Sequence, residues 1–440
     1  MTILIIFLLA ANLLVPLWAA CRFCVSREGI AVDHVLLFSI GYFFYWVLPI
    51  GIGAAHLLAD APVMALWYSI YSKISEQTIA LYLVISLCCY LAFWLGSWQG
   101  TRQCRGLPPR YRNIYFSIRL LDVPLAVGIV LAGIYAFVLR GQLFHGYTSF
   151  AETGWDTSRG SFTAVSVFLL SLAFLYSAKR QEKMTETPTP RNLLFNRYFI
   201  AYFIVAFLVL SLGGRLYFVS SLVMLLIYWT VYFRRISSRA ALNVFLTLAI
   251  VAGLVGALRL NGPISTTALM LGLFQEPLFT GFSLTSYLSA NTFEILRFPI
   301  FLLSDLLNLI PSALFPNKAE LLLDPANYGF PLFNPLGATN SFYSFMINFG
   351  FLGTFAFLFL MGWLMSLLRG RDRNLLSRVI YVMLSGWIGF TFFRDAFSIS
   401  LVKSMFQFSV LVPVLIVITL QLVSVFLRDL GRPVPAEQKG

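Results

Sequence analysis

Charge is scarce in this sequence. Only 11% of its 440 residues are Asp, Glu, Lys or Arg, against about 25% in a soluble globular domain. Metal ligands are scarce too: there are three histidines, and the five cysteines (Cys21, Cys24, Cys88, Cys89 and Cys104) all fall in the first quarter. Cys21 and Cys24 form a CxxC, but no second pair follows at zinc spacing, so scattered membrane cysteines are the simpler reading. No Asp-x-Asp motif occurs, and no glycine-rich loop is suited to cradle a nucleotide. That argues against a nucleotide-sugar enzyme and against an ATP-driven pump. No internal repeat is visible. What remains is apolar: 59% of residues are hydrophobic, 43 are Phe, and the mean hydropathy is +0.83. No single soluble core could hide that much apolar surface, so the chain reads as an all-α, polytopic membrane protein.

A spanning helix needs about 20 predominantly apolar residues. Runs of that kind lie near 2–20, 32–57, 78–98, 120–139, 161–178, 196–213, 216–233, 241–260, 342–367, 375–393 and 404–427, about eleven in all. The N-terminal run resembles a signal-peptide core but lacks a basic n-region, so it is taken as a retained first span. The run 196–233 is too long for one helix and is divided at Gly213-Gly214-Arg215. Orientation follows from Lys and Arg placement. One set of connections collects 22 of the 31 basic residues, from Arg22 and Arg27 through Arg234, Arg235 and Arg239 to the tail beyond Arg428. That side carries about +14 and the other about −1. The basic side is therefore expected to be cytoplasmic, with the N-terminus outside and the C-terminus inside.

The expected organisation is an N-terminal transmembrane bundle over 1–260, a large outer loop over 261–341, a C-terminal bundle over 342–427, and a cytoplasmic tail over 428–440. The loop is too apolar for disorder. Pro277, Pro299, Pro311, Pro316, Pro325, Pro331 and Pro335 should break any continuous span through it. Such a segment lies on the membrane surface or dips in where protein shields its backbone.

On the sparsely basic side, each cation needs a reason. Arg215 follows a Gly-Gly turn, Arg259 ends a span, Arg297 lies in the large loop, Arg394 follows Phe392-Phe393 and precedes Asp395, and Lys403 opens the last span. An arginine at membrane depth is costly and usually pairs or binds an anion. A guanidinium fork suits phosphate, so several converging on one outer cleft would suit a pyrophosphate-bearing ligand. The plainer alternatives are snorkelling to the interface and, for Arg394, a local pair with Asp395. Carboxylates on the same side are Glu276, Glu294, Asp305, Glu320, Asp324 and Asp395. Any of them could serve as a general base in a partly dry cleft, with Glu276, Asp324 and Asp395 the catalytic candidates. His145, the one outward histidine, reads as a solvated loop residue. No metal site and no cofactor is expected.

Many spans, one large outer loop in the second half, the Gly213-Gly214-Arg215 turn and the late Phe392-Phe393-Arg394-Asp395 together resemble the oligosaccharide repeat-unit (O-antigen, Wzy-type) polymerases. The stretch from Asn340 through Gly350 to Gly353 is similar to that family's segment re-entering the membrane after the large loop. The family's Arg-x10-Gly pattern is not met from Arg215, since Leu226 occupies its last position. The resemblance implies a GT-C-like glycosyltransferase of the bacterial inner membrane. It would join polyprenyl-pyrophosphate-linked oligosaccharides at the periplasmic face, with essential arginines falling on Arg215 and Arg394. Donor and acceptor glycolipids and the bilayer are the implied partners, with a chain-length regulator besides and no nucleic acid. The O-antigen ligase is a sister reading that differs in acceptor. A flippase would show two related halves and charges along a central cavity, which this sequence lacks. An acyltransferase would want an embedded His or Asp pair, and neither His34 nor His56 is expected to supply one.

Overall fold

The computed structural model describes residues 3–26, 29–57, 64–105, 116–143, 157–181, 195–212, 215–244, 266–290, 293–310, 315–330, 338–370 and 374–430, with a few isolated positions besides. Among the described residues, seven helices are long and apolar enough to cross a membrane: Ile3–Cys24, His34–Ala54, Glu76–Cys104, Ile118–Val138, Ser158–Gln181, Ser341–Gly370 and Ser398–Arg428. Apolar runs of this length favour helices because every backbone group is then satisfied within the segment. The chain is an all-α membrane protein. Among the described residues its one strand pairing joins Val25–Ser26 to Gly29–Ile30.

Seven of the eleven expected spans coincide with these helices. Three others, 196–213, 216–233 and 375–393, correspond to the shorter apolar helices Arg197–Ser211, Tyr217–Tyr232 and Leu375–Ile388. At about 1.5 Å per residue such helices fall short of a hydrocarbon core roughly 30 Å thick. The expected span 241–260 lies largely outside the described residues. The division at Gly213-Gly214 agrees with one helix ending at Ser211 and the next starting at Arg215.

One expectation is corrected. Pro277 does not end a helix; it lies inside the 25-residue helix Thr266–Ala290. Proline removes one hydrogen-bond donor and crowds the preceding turn. Beyond it, the Thr280 hydroxyl donates to the carbonyls of Glu276 and Pro277, at 3.2 and 2.9 Å. Burial of Leu278 and Phe282 against Ile52, Met64 and Trp67 also holds this helix in place. The sequence reading weighed the proline and not the packing.

The chain forms two compact units. The first comprises 1–107, 224–370 and 384–405. Within it, the helices Glu76–Arg105 and Ser341–Gly370 meet backbone to backbone. A Cβ on Gly96 would overlap the Phe359 carbonyl, and one on Gly362 the Phe93 carbonyl. Small residues permit this approach where lipid offers no hydrophobic drive for helix association. Ser341–Gly370 is interrupted at Gly350, whose φ of +62° breaks the helix. The segment 294–297 completes the interrupted ladder: Phe351 N–H donates to Glu294 O (3.0 Å), Leu352 N–H to Ile295 O (2.9 Å) and Arg297 N–H to Phe349 O (3.1 Å). Part of the expected outer loop thus closes a gap in a membrane helix.

The second unit comprises 108–223, 371–383 and 406–440. Asn196 caps the Arg197–Ser211 helix by accepting from Tyr198 N–H (3.0 Å) and Phe199 N–H (3.1 Å). Asp122 ties that helix to Asp122–Val138, accepting from the Tyr198 hydroxyl (2.6 Å) and pairing with Arg197 (2.7 Å). Val123, Val130 and Phe207 remain more than half exposed, as lipid-facing side chains do.

Candidate functional site

Three residues singled out in the sequence come together in the first unit. Arg394 ends the short helix Thr391–Arg394. Its Nε lies 2.7 Å from Glu276 Oε2, and its Nη1 lies 3.8 Å from Asp395 Oδ1. Glu276 comes from the Thr266–Ala290 helix, one position before Pro277. The sequence offered Asp395 as the local partner of Arg394; Glu276 is the closer one. The guanidinium is therefore bracketed by two carboxylates. Asp395 is 9% exposed. Burial pushes its carboxyl up to about 6; Arg394 works against that rise and the Glu276 charge adds to it. A carboxylate in that range suits proton transfer near neutral pH.

The scaffold of this cluster is the segment 339–341, which opens the Ser341–Gly370 helix. Thr339 N–H donates to the Arg394 carbonyl at 2.8 Å. Asn340 N–H donates to Ser283 Oγ (2.8 Å) on the helix that carries Glu276. Asn340 Nδ2 donates to the Tyr45 carbonyl (2.8 Å), and its Oδ1 accepts from Phe342 N–H (2.9 Å). Trp46 Nε1 donates to Ser341 Oγ at 2.9 Å. Phe393 packs by ring stacking or edge contact on Phe38, Tyr45 and Trp46. The hydroxyl of Thr391, buried in the same short helix, has no hydrogen-bond partner among the described residues. Two of the sequence segments that carried the family resemblance, 340–353 and 392–395, thus meet at one place.

The other candidates are engaged elsewhere or lie outside the description. Arg297 pairs with Glu294 at 2.8 Å and lies over the Phe330 ring, 4.2 Å from its centroid. Asp324 is exposed and caps the turn Pro325–Tyr328, accepting from Ala326 N–H at 2.9 Å. Lys403 sits in the π-helical stretch Ser398–Leu411, within electrostatic reach of Lys318. Arg215 is the first residue of its helix, but its side chain lies outside the described residues, as do Arg259 and His145 entirely. Asp305 accepts a hydrogen bond from the Ser398 backbone, and burial pushes its carboxyl up to about 6.

A second buried polar cluster corrects the reading of His34. Asp33, fully buried, accepts from Val35 N–H (3.0 Å), Leu36 N–H (3.1 Å) and Cys24 Sγ (3.1 Å), and pairs with Arg369. His34 Nε2 lies 3.1 Å from Ser366 Oγ. An embedded Asp-His neighbour pair therefore exists, and it was legible at positions 33 and 34. Burial disfavours the Asp33 charge, yet Arg369, His34 and the donated hydrogen bonds together hold its carboxyl below the ordinary range. Its oxygens cap one helix and tie it to two others, and His34 and Ser366 are fully or almost fully buried. The cluster clamps helix ends together, with no room for a substrate at His34 or Ser366. Cys24 of the CxxC belongs to this clamp.

Tyr45, Asn340 and Ser283 had no assigned role in the sequence reading. Asn340 lay inside a recognised stretch, while Tyr45 and Ser283 are an aromatic and a hydroxyl in apolar runs, indistinguishable there from packing residues. Among the described residues no group of three or more His, Cys, Asp or Glu could hold a metal ion. Comparison of the chain with known protein families, with curated proteins and with solved structures returns no match.

Proposed function

We propose that this chain polymerises polyprenyl-pyrophosphate-linked oligosaccharide repeat units, at the outer face of a bacterial inner membrane, on an approximately eleven-span, GT-C-like scaffold. The observation that carries the reading is the Glu276–Arg394–Asp395 cluster, held together by the segment 339–341. In the reaction, a hydroxyl oxygen of the acceptor sugar forms a bond to the donor's anomeric carbon. The bond from that carbon to the pyrophosphate breaks, and its electron pair leaves on the phosphate oxygen. The acceptor proton passes to a carboxylate, and we assign that role to Asp395. The donor carries its own leaving group, so neither nucleotide nor ATP is consumed.

The geometry refines the part given to Arg394. Its charge is already balanced by two carboxylates, so its first task is to fix both of them. As negative charge develops on the departing pyrophosphate, the same guanidinium can turn part of its field toward it. Donor and acceptor glycolipids are the proposed partners, and a chain-length regulator would act on the length of the product. Glycan profiling of a deletion strain tests the proposal. Loss of long chains with single repeats retained supports polymerisation. Full-length chains left on the lipid carrier would assign the chain as a ligase instead, and an unchanged glycan would overturn glycosyl transfer altogether.

A further inference from the structure

We infer that a cavity at the C-terminal end of the helix Arg215–Tyr232 binds the phosphate of an anionic phospholipid, held by Arg234 and Arg235. The inference is independent of the glycosyl-transfer reading. The cavity, of about 540 Å³, is lined by residues 230–237, with Thr230, Tyr232, both arginines and Ser237 among them. Its wall is tied to the start of the chain. Ile30 and Ile236 exchange backbone hydrogen bonds of 2.8 and 3.0 Å, and Val32 N–H donates to Thr230 Oγ1 at 2.9 Å. Gly29, at φ +126°, lies so close that a Cβ there would be 2.5 Å from the Ile236 carbonyl oxygen. A segment pinned in this way presents its two arginines from a fixed backbone.

Charge decides the sign of the ligand. Other arginines of the basic connections have internal partners: Arg102 lies over the Trp98 ring, Arg197 pairs with Asp122, and Arg378 donates to Gln181. The guanidiniums of Arg234 and Arg235 make no ion pair, hydrogen bond or ring contact among the described residues. Two forks lining one polar cavity without a carboxylate suit a phosphate, which each can grip through two nitrogens. Arginines that only snorkel to water need no cavity.

Depth decides the source of that phosphate. The cavity begins in the last turn of an apolar helix, where the rings of Trp229 and Phe233 stack at 5.4 Å. Trp and Tyr at a helix end mark the level of the lipid headgroups. Further along the chain Leu242, Leu246 and Ile250, four residues apart, are exposed and offer apolar surface to acyl chains. A soluble anion would use the charge alone; an anionic lipid uses the charge, the aromatic level and the apolar flank together.

The test uses the full-length protein in phosphatidylcholine nanodiscs with phosphatidylglycerol as the minor lipid, and native mass spectrometry to count the lipids retained. The wild-type protein should retain phosphatidylglycerol in preference to phosphatidylcholine. The double variant Arg234→Gln/Arg235→Gln should bind it roughly 30-fold more weakly, while Arg102→Gln binds it as wild type does. Melting temperature in pure phosphatidylcholine shows whether the double variant is folded; if it is not, the single variants carry the test, each expected to lose roughly 5-fold. No preference in the wild-type protein, an intact preference in the folded variants, or an equal loss in Arg102→Gln would overturn the inference. Displacement of phosphatidylglycerol by an equal concentration of inorganic phosphate would also overturn it, in favour of a soluble anion. So would a preference that emerges only in Glu28→Gln, since the chain's own acid would then fill the site.

Discussion

Arg394→Ala and Glu276→Gln should move the pH dependence of turnover in opposite directions. Three influences set the acidity of Asp395: burial raises it to about 6, Arg394 opposes the rise, and Glu276 reinforces it. If Asp395 is the base, wild-type kcat climbs through pH 6 to a plateau. Arg394→Ala removes the opposing cation, so the acidic limb shifts to higher pH and Asp395 is more protonated near neutrality. Glu276→Gln removes a neighbouring negative charge in a similar shape, so the limb shifts to lower pH. The pair itself is part-screened, with the Arg394 side chain 22% exposed and that of Glu276 41%. Its energy therefore falls between the 0–1 kcal/mol of exposed pairs and the 3–5 kcal/mol of breaking a buried one. That pair energy bears on stability; the rate loss in Arg394→Ala comes from the missing contact to charge developing on the leaving group, about 3 kcal/mol or roughly 100-fold in plateau kcat. Arg394→Lys should recover part of it, because a point charge replaces a fork that reaches both carboxylates. The assay is polymer formation by purified protein between pH 5 and 8, with abundance and melting temperature as controls. Limbs that stay put in both variants, or move the same way, would refute the assignment of Asp395 as the base.

Reporter fusions after Gly160, Gly262 and Lys403 should read outside, and those after Thr185, Arg239 and Arg371 inside; reversed readings at 185 and 262 would remove every argument for an outer site. Polymer formation should persist in EDTA without added divalent ions, because the described residues offer no cluster of metal donors; complete loss on chelation, restored by one metal, would contradict this. Gly96→Leu should sharply lower the amount of folded protein in the membrane, since even a Cβ there meets the Phe359 carbonyl. Normal abundance of that variant would mean the two helices do not pack as described.

Architecture was the most legible level of this sequence, because the physics behind it is local. A run of about 20 apolar residues is a helix wherever it occurs in a bilayer, and the long helices fall where hydropathy put them. Local rules failed where packing decided. Pro277 read as a helix breaker, yet its helix continues because Leu278 and Phe282 are buried on its far side. Gly350 read as part of an unbroken span, yet its ladder is interrupted and completed by 294–297, a pairing that no periodicity announces.

The site shows the same division. Arg394 and Asp395 were visible as neighbours, and Glu276 as a carboxylate hemmed by apolar residues, but nothing in the sequence joined them. The join is made by Thr339, whose N–H holds the Arg394 carbonyl, and by Asn340, which reaches Ser283 on the Glu276 helix and the Tyr45 carbonyl. That changes the chemistry expected of Arg394. Read alone, it was an expensive cation in need of an external anion; in the fold its anions are internal and already present. An incoming pyrophosphate would then compete with Glu276 and Asp395 for the guanidinium. A carboxylate released by that competition becomes a freer proton acceptor at the moment the acceptor hydroxyl must lose its proton. On the proposed reading, donor binding and activation of the base would be coupled through a single side chain. In Arg394→Lys this coupling should weaken more than binding does, because an ammonium lacks the fork whose separate nitrogens face the two carboxylates.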